Sequence, residues 1–242
     1  MHIETHSRAI AKSISYRVFG SLITAVIIYF FVGRLDFAVA GGVADALAKI
    51  AAFYLHERVW NKIGFGKKQI EPFNLWFTGL PLSGKTTIGD KVFEELKKID
   101  IPVERIDSKD IRDLIPQSGF SRIDRNEHMR RIGHLIKTLQ NNSISTVASF
   151  VSPYKESRKV IREMVKNNVV VYIKADIENC KNRDYKGVYE RAIRGELQNF
   201  PGINDVYEEP ERAEIVIDTD LISADEAALI IVKYLKKRHI KS

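Results

Sequence analysis

The stretch "TGLPLSGKTT", residues 78–87, decides the fold. Gly79, Gly84, Lys85 and Thr86 fit the spacing G-x-x-x-x-G-K-[S/T], in which backbone N–H groups converge on phosphate oxygens. A side chain at Gly84 would obstruct those groups, whereas Lys85 reaches the terminal phosphates and Thr86 offers a hydroxyl to Mg²⁺. The residues predicted to hold the phosphates of a nucleotide are Gly79, Leu80, Pro81, Leu82, Ser83, Gly84, Lys85, Thr86 and Thr87.

Strand-like and helix-like segments alternate around this loop. The strand-like runs lie at 73–79, 102–107, 145–150, 168–175 and 213–219, and the helical patterns at 85–98, 124–141, 155–167 and 223–238. Such alternation predicts an α/β fold with a mostly parallel sheet flanked by helices on both faces. In the helix that follows the loop, Ile88, Val92, Phe93 and Leu96 are expected to face inward.

The net charge and the cysteine count limit the kinds of molecule that the protein is expected to bind. The 242 residues carry a net charge of +7, which suits nucleic acid, an anionic membrane surface or a small anionic substrate. No run of Lys and Arg with interleaved aromatic residues is present, so nucleic acid is the least favoured partner. Cys180 is the single cysteine, which excludes an intramolecular disulfide and disfavours a structural zinc site.

Residues 1–63 contain two long apolar stretches with few charged side chains. The stretch 18–33 carries no charged side chain, and extended back to Ser13 it approaches the ~20 residues that cross a bilayer. In the second stretch, 35–54, Asp45 and Lys49 are four residues apart and can neutralise each other on one helix face. The pattern predicts a transmembrane α-helical hairpin with spans at about 13–33 and 35–55. A buried hairpin of a soluble domain is the alternative.

Positive charge lies outside the two predicted spans. The flanking cations are Arg8, Lys12, Arg17, Arg58, Lys62, Lys67 and Lys68, whereas the connector holds Arg34 and Asp36. This asymmetry predicts that both ends lie in the cytoplasm. The stretches "KSISYRVFGSLIT" (12–24) and "YLHERVWNKIGFG" (54–66) resemble the two-helix membrane domain DUF2061. The expected domains are therefore a membrane hairpin at 1–63, a linker at 64–72 and an α/β domain at 73–242.

Four polar patches follow the predicted strands, at 104–114, 119–133, 148–158 and 182–203, and the last is long enough to form a lid. The sequences of these patches resemble the motifs of the adenylylsulfate kinase (APS kinase) family. The resemblance extends from about Leu75 to Thr219. The chain has "GFSRIDRNEH" (119–128), "SFVSPYK" (149–155), "RDYKGVYERAIRGE" (183–196) and "FPGINDVYEEP" (200–210). The family has GFSxxDRxEN, SFISPYR, RDxKGLYxxARxGE and FTGIDxPYExP in the same order.

The resemblance implies a P-loop kinase that transfers the γ-phosphate of ATP, with Mg²⁺, to the 3′-hydroxyl of adenosine 5′-phosphosulfate (APS), which makes PAPS. It implies catalytic roles for Lys85, Asp107 and Ser152, and a metal site at Thr86 and Asp107. The implied substrate-binding residues are Lys109, Asp110, Ile111, Arg112, Phe120, Arg125, His128, Val151, Ser152, Lys186, Asn199 and Phe200, with Phe120 and Phe200 sandwiching the adenine. Ser152 matches a serine proposed as a phospho-acceptor in some members, although in-line transfer needs no covalent step. The predicted partners are nucleotides, the bilayer and a second copy of the chain as a homodimer.

The departures from the family pattern fall mainly on the acceptor side. "DSKDIR" (107–112) replaces DGDNVR, so Ser108 and Lys109 stand in place of a glycine and an acid. His128 replaces an asparagine, and Pro201 replaces a threonine. These changes keep open a second reading, a kinase of the same fold acting on another nucleotide-linked small acid. A third reading is a nucleotide-binding membrane regulator with little turnover, against which the retained Lys85, Asp107 and Arg125 argue.

Overall fold

The computed structural model describes residues 2–4, 6–31, 38–63, 67–111 and 119–241, which divide into two compact units, His2–Gln69 and Ile70–Lys241. The strands are β1 (His2–Glu4), β2 (Lys67–Ile70), β3 (Asn74–Thr78), β4 (Val103–Asp107), β5 (Ser145–Ser149), β6 (Asn168–Lys174), β7 (Ile215–Asp218) and β8 (Ile240–Lys241). The helices are α1 (His6–Phe31), α2 (Ala38–Lys62), α3 (Lys85–Lys98), α4 (Arg122–Asn141), α5 (Lys155–Met164), α6 (Ile177–Asn182), α7 (Val188–Ile193) and α8 (Ala224–Arg238).

The larger unit is built on a parallel sheet with the strand order β4-β5-β3-β6-β7. Trp76 in β3 lies opposite Ala148 on one side and Val170 on the other, so β3 is the central strand. The chain leaves β3 toward β4 and β5 and then crosses to β6 and β7. The carboxyl end of β3 is therefore the point at which the order reverses, where open sheets of this kind bind ligands. The predicted α/β architecture is confirmed.

Helices cover both faces of the sheet, which explains why β3 and β5 are buried along their whole length. Helices α4 and α5 cover one face over a core of Trp76, Ile106, Ile111, Met129, Ile132, Ile136, Ala148, Phe150, Ile161 and Val165. Trp76 stacks on Phe150 with ring centroids 5.1 Å apart. Helix α3 packs on the opposite face, where Gly89 lies against Val147 and Ser149.

One expectation for α3 is wrong. Ile88, Val92 and Leu96 are buried, as predicted, but Phe93 is only partly buried. The buried residues follow each other at intervals of four, and Phe93 lies one position beyond that stripe. The Lys97 ammonium stands 4.5 Å from the centre of the Phe93 ring, so the ring also makes a cation–π contact at the edge of the core.

In the smaller unit, α1 and α2 form a pair of helices whose facing sides carry polar groups. Lys12 and Glu57 form an ion pair at 2.8 Å, and Ser15 Oγ lies 2.7 Å from His56 Nε2. Buried Arg8 donates to the carbonyl oxygens of Trp60 and, at 2.8 Å, Ile63, where α2 ends. The helices are therefore joined by hydrogen bonds and an ion pair along this seam.

The outer side of α1 is apolar. An exposed stripe runs along it at every fourth residue, formed by Ile10, Ile14, Val18, Leu22, Val26 and Phe30. On α2, the predicted pair of Asp45 and Lys49 forms at 2.7 Å. Within the part of the chain that the structure describes, no helix combines the length and apolarity needed to cross a membrane.

A buried amide stabilises the edge of the sheet at which the strands begin. Asn74 is fully buried, its Nδ2 donates to Asn168 Oδ1 at 2.6 Å, and its Oδ1 accepts from Thr146 Oγ1 at 2.7 Å. These bonds join β3 to both of its neighbours. Because a buried polar group is costly when it loses its partner, this amide supports the central three strands.

Replacing Asn74 with alanine should lower the free energy of unfolding by about 1–3 kcal/mol, since Thr146 and Asn168 lose a buried partner. Denaturant unfolding of the purified chain measures the change. Asn142→Ala is the matched control, because its amide bonds Thr138 O at an exposed helix end and should cost less than about 1 kcal/mol. Equal losses in the two variants would contradict this account.

Candidate functional site

The phosphate loop joins the carboxyl end of β3 to the start of α3, as predicted. Gly79 has φ +156°, and a Cβ placed there would lie 2.3 Å from the carbonyl oxygen of Ile173 in β6. Gly84 immediately precedes α3 with φ +99°, a conformation that side chains rarely tolerate. The two glycines therefore allow the loop to approach the sheet closely and then to enter the helix directly.

Lys85 lies inside this loop and is 8% exposed. Its Nζ donates to the carbonyl oxygens of Gly79 (3.0 Å) and Leu80 (2.5 Å) and to Ser83 Oγ (3.3 Å). Burial lowers the pKa of the Lys85 ammonium to about 8, although Cys180 and Asp107 act in the opposite direction. The group is thus charged at neutral pH and is held where the loop would bind a phosphate anion.

Thr86 and Asp107 meet at the mouth of the loop. Thr86 Oγ1 donates to Asp107 Oδ2 at 2.7 Å, and Asp107, the last residue of β4, is 2% exposed. The other carboxylate oxygen of Asp107 accepts the backbone N–H of Lys109 at 2.9 Å. A hydroxyl and a carboxylate beside a phosphate loop are the oxygen donors that Mg²⁺ prefers, so this pair fits a nucleotide-bound magnesium ion.

A cavity opens beside the loop at the same edge of the sheet. It is lined by Ser108, Phe120, Arg125, His128, Met129, Phe150, Val151, Ser152 and Pro153. Five of these residues were predicted to bind substrate: Phe120, Arg125, His128, Val151 and Ser152. Ser108, Met129, Phe150 and Pro153 were missed as lining residues. Each one is a sequence neighbour of a predicted residue, and this adjacency was the available signal.

Arg125 joins two of the predicted patches. Its Nε donates to Phe120 O at 3.1 Å, and its Nη2 donates to Asn199 O at 2.8 Å. The guanidinium carbon stands 5.4 Å from the centre of the Phe120 ring. Arg125 therefore places the start of α4 next to the residue before Phe200, and the segments that carry the two predicted stacking rings lie close together.

Ser152 occupies a constrained position. It is 3% exposed with φ +36°, and its Oγ accepts from Trp76 Nε1 at 3.1 Å and donates to Thr78 Oγ1 at 3.0 Å. Its carbonyl oxygen accepts from Arg158 Nη1 at 2.6 Å. Both the side chain and the backbone of Ser152 are thus tied to neighbouring elements.

Other predicted substrate residues lie apart from the cavity. Asp110 pairs with Arg105 at 2.5 Å, and Ile111 is buried in the core. Lys109 is exposed, and Lys186 is exposed beside the ring of Tyr185, whose centre lies 5.4 Å from its Nζ. Arg112 lies outside the described residues.

Two protein families match the chain. Residues 71–218 match adenylylsulphate kinase, and residues 10–61 match a family described as a predicted membrane protein, DUF2061. An adenylyl-sulfate kinase of Thermodesulfovibrio yellowstonii is 43% identical over 69% of this chain and 84% of its own length. An adenylyl-sulfate kinase of Oceanobacillus iheyensis is 36% identical over 74% of this chain and 95% of its own length.

Among solved structures, the Mycobacterium tuberculosis APS kinase in complex with AMPPNP and APS is similar to this chain, with a TM-score of 0.66 and 29% identity. The match covers 69% of this chain and 99% of that one. Residues 71–218, which match the adenylylsulphate kinase family, include the phosphate loop, the Thr86–Asp107 pair and the cavity.

Gly79→Ala should weaken binding of an ATP analogue at least tenfold, because the added Cβ meets a backbone oxygen that cannot move away cheaply. Calorimetric titration with AMPPNP measures the affinity. Gly195→Ala is the matched control, since Gly195 also has a positive φ (+79°) but has nothing within 4 Å of an added Cβ. AMPPNP affinity within twofold of the wild type in Gly79→Ala would refute the assigned role of the loop.

Proposed function

The chain belongs to the adenylylsulphate kinase family, and we propose that it is a membrane-tethered member that converts APS to PAPS. The 3′-hydroxyl of APS releases its proton to solvent as its oxygen attacks the γ-phosphorus of ATP, the bond to the β,γ-bridging oxygen breaks, and ADP leaves. One observation carries the proposal. The phosphate loop, the Thr86–Asp107 pair and the Phe120–Arg125 cavity all lie at the carboxyl edge of one parallel sheet.

On the donor side, Lys85 supplies positive charge to the transferring phosphate. A buried cation in a rigid loop stabilises the charge of the transition state without having to reorganise. Thr86 and Asp107 would hold Mg²⁺, which neutralises charge on the phosphate oxygens of ATP. Asp107 also lies at the end of β4 toward the cavity side, where its carboxylate can orient the 3′-hydroxyl of the acceptor.

On the acceptor side, we assign Phe120 and Phe200 to the adenine ring and Arg125 to the phosphosulfate. The support is the bond from Arg125 to Asn199 O, which brings the segments of both rings to one place. Val151 and Ser152 line the cavity, and we assign them to backbone contact with the acceptor. We assign Ser152 no covalent role, because its buried hydroxyl is already bonded to Trp76 and Thr78.

A related acceptor is the second candidate, and one residue of the cavity favours it. His128 stands where the family has an asparagine, and it lines the cavity wall. Its imidazole could donate to an additional anionic group, whereas Lys109 is exposed apart from the cavity. APS remains the preferred acceptor because Phe120, Arg125 and Phe200, the residues assigned to it, are retained.

We propose that residues 1–63 tether the chain to the bilayer with both ends and the kinase unit in the cytoplasm, and the match of residues 10–61 to a predicted membrane protein family supports this. The support is the distribution of polarity. An ion pair and hydrogen bonds lie between the helices, while the apolar stripe faces outward, the reverse of a hairpin that packs on a water-soluble core. Flanking Arg and Lys give the orientation. A homodimer stays a prediction.

Lys85→Ala should reduce kcat/KM for PAPS formation at least about 100-fold, since one charge-stabilising contact in a transition state is worth that much. Steady-state assays with ATP and APS, and with a panel of other nucleotide-linked acids, measure it. Lys91→Ala is the control, because Lys91 lies on the same helix but pairs with Asp225 at an exposed site. Wild-type turnover in Lys85→Ala would overturn the mechanism. Turnover with a different acid alone would support the second candidate.

The intact chain should sediment with membranes and require detergent for extraction, whereas a chain that begins at Ile70 should remain in the soluble fraction. The physical reason is the outward apolar stripe of α1, which water solvates poorly. Fractionation of cells that express each form tests this. Recovery of the intact chain in the soluble fraction without detergent would contradict the tether.

A further inference from the structure

Tyr189 contacts both halves of the site, although it belongs to no predicted set of functional residues. It lies in α7, within the segment 182–203 that was expected to form a lid, and it is 1% exposed. We infer that Tyr189 is a positioning residue that holds the phosphate loop with its hydroxyl and the acceptor ring Phe200 with its own ring. This inference rests on the proposed function for its acceptor half only.

The first contact fixes a carbonyl of the phosphate loop. Tyr189 Oη donates to Pro81 O at 2.9 Å. A trans peptide is planar, so its C=O and N–H point in opposite directions, and the bond to Pro81 O also sets the direction of the N–H of Leu82. Leu82 has φ +61°, which a non-glycine residue keeps only when its surroundings hold it there. Tyr189 thus helps to maintain a loop whose N–H groups bind phosphate.

The phenol group is suited to this task. Burial raises the pKa of Tyr189, and contact with Cys180 raises it further, so the hydroxyl remains a donor throughout the working pH range. The backbone N–H of Tyr189 donates to Asp184 Oδ2 at 2.7 Å, which fixes the residue at the start of its helix. The backbone of Tyr189 is therefore held in place while its hydroxyl contacts the loop.

The second contact fixes the acceptor ring. The rings of Tyr189 and Phe200 pack edge to face, with centroids 4.9 Å apart and an interplanar angle of 74°. Phe200 is further held by its N–H, which donates to Asn204 Oδ1 at 2.7 Å. One rigid side chain thus touches the loop with its hydroxyl and Phe200 with its ring. The hydroxyl thus supports the loop, and the ring separately supports Phe200.

The two contacts are chemically separable. Tyr189→Phe removes the hydroxyl and keeps the ring, so it should weaken AMPPNP binding about three- to tenfold and leave KM for APS within twofold of the wild type. Phe200→Leu should raise KM for APS and leave AMPPNP affinity unchanged. Tyr189→Leu should change both. Tyr185→Phe is the matched control, because Tyr185 lies in the same segment but is 80% exposed.

The measurements are AMPPNP titration, with and without APS, and steady-state kinetics of the full chain, accompanied by thermal unfolding. Tyr189→Phe with wild-type constants, or with only a lower Tm, would show a packing role and would overturn the inference. The near-isosteric Tyr189→Phe variant keeps the test valid if Tyr189→Leu does not fold. If the wild type binds AMPPNP but makes no PAPS, the proposed acceptor fails. In that case, the AMPPNP affinity of Tyr189→Phe still decides the loop half.

Discussion

The close approach of Gly79 to the carbonyl oxygen of Ile173 is the constraint on which the rest of the site depends. This contact holds the phosphate loop against the central strands. In that position of the loop, Lys85 points into it and Thr86 points toward Asp107. Asp107 reaches this place because β4 lies in the same parallel sheet and ends at the same edge. A displaced loop would therefore separate all the groups on the donor side.

On the acceptor side, hydrogen bonds from side chains hold separate segments together. No single loop positions all of these residues, in contrast to the donor side. Arg125 bonds the backbone of two segments, and the 148–158 segment is fixed by Trp76, Thr78 and Arg158. Each of these side chains makes directional hydrogen bonds. These bonds hold the cavity in shape where no strand or helix borders it. Residues on the cavity surface, such as His128, can then differ from the family pattern while the scaffold is retained.

Local patterns in the sequence predicted the parts that depend on neighbours in the chain. The loop is specified by Gly79, Gly84 and Lys85 within a few residues, and strand and helix periodicity gave the parallel sheet. Tyr189 and Pro81 are 108 residues apart, and Arg125 and Asn199 are 74 apart, so no local pattern contains these contacts. Phe93 was misplaced because apolarity alone does not distinguish the centre of a buried stripe from its margin.

The buried amide of Asn74 lies at the opposite end of the strands from the phosphate loop. The buried side-chain hydrogen bonds that join the central strands thus lie where the strands begin. The candidate site lies where they end. Substitutions in the cavity can therefore accumulate without loosening the amide network. A change of side chain in the cavity therefore leaves intact the hydrogen bonds that hold the central three strands together.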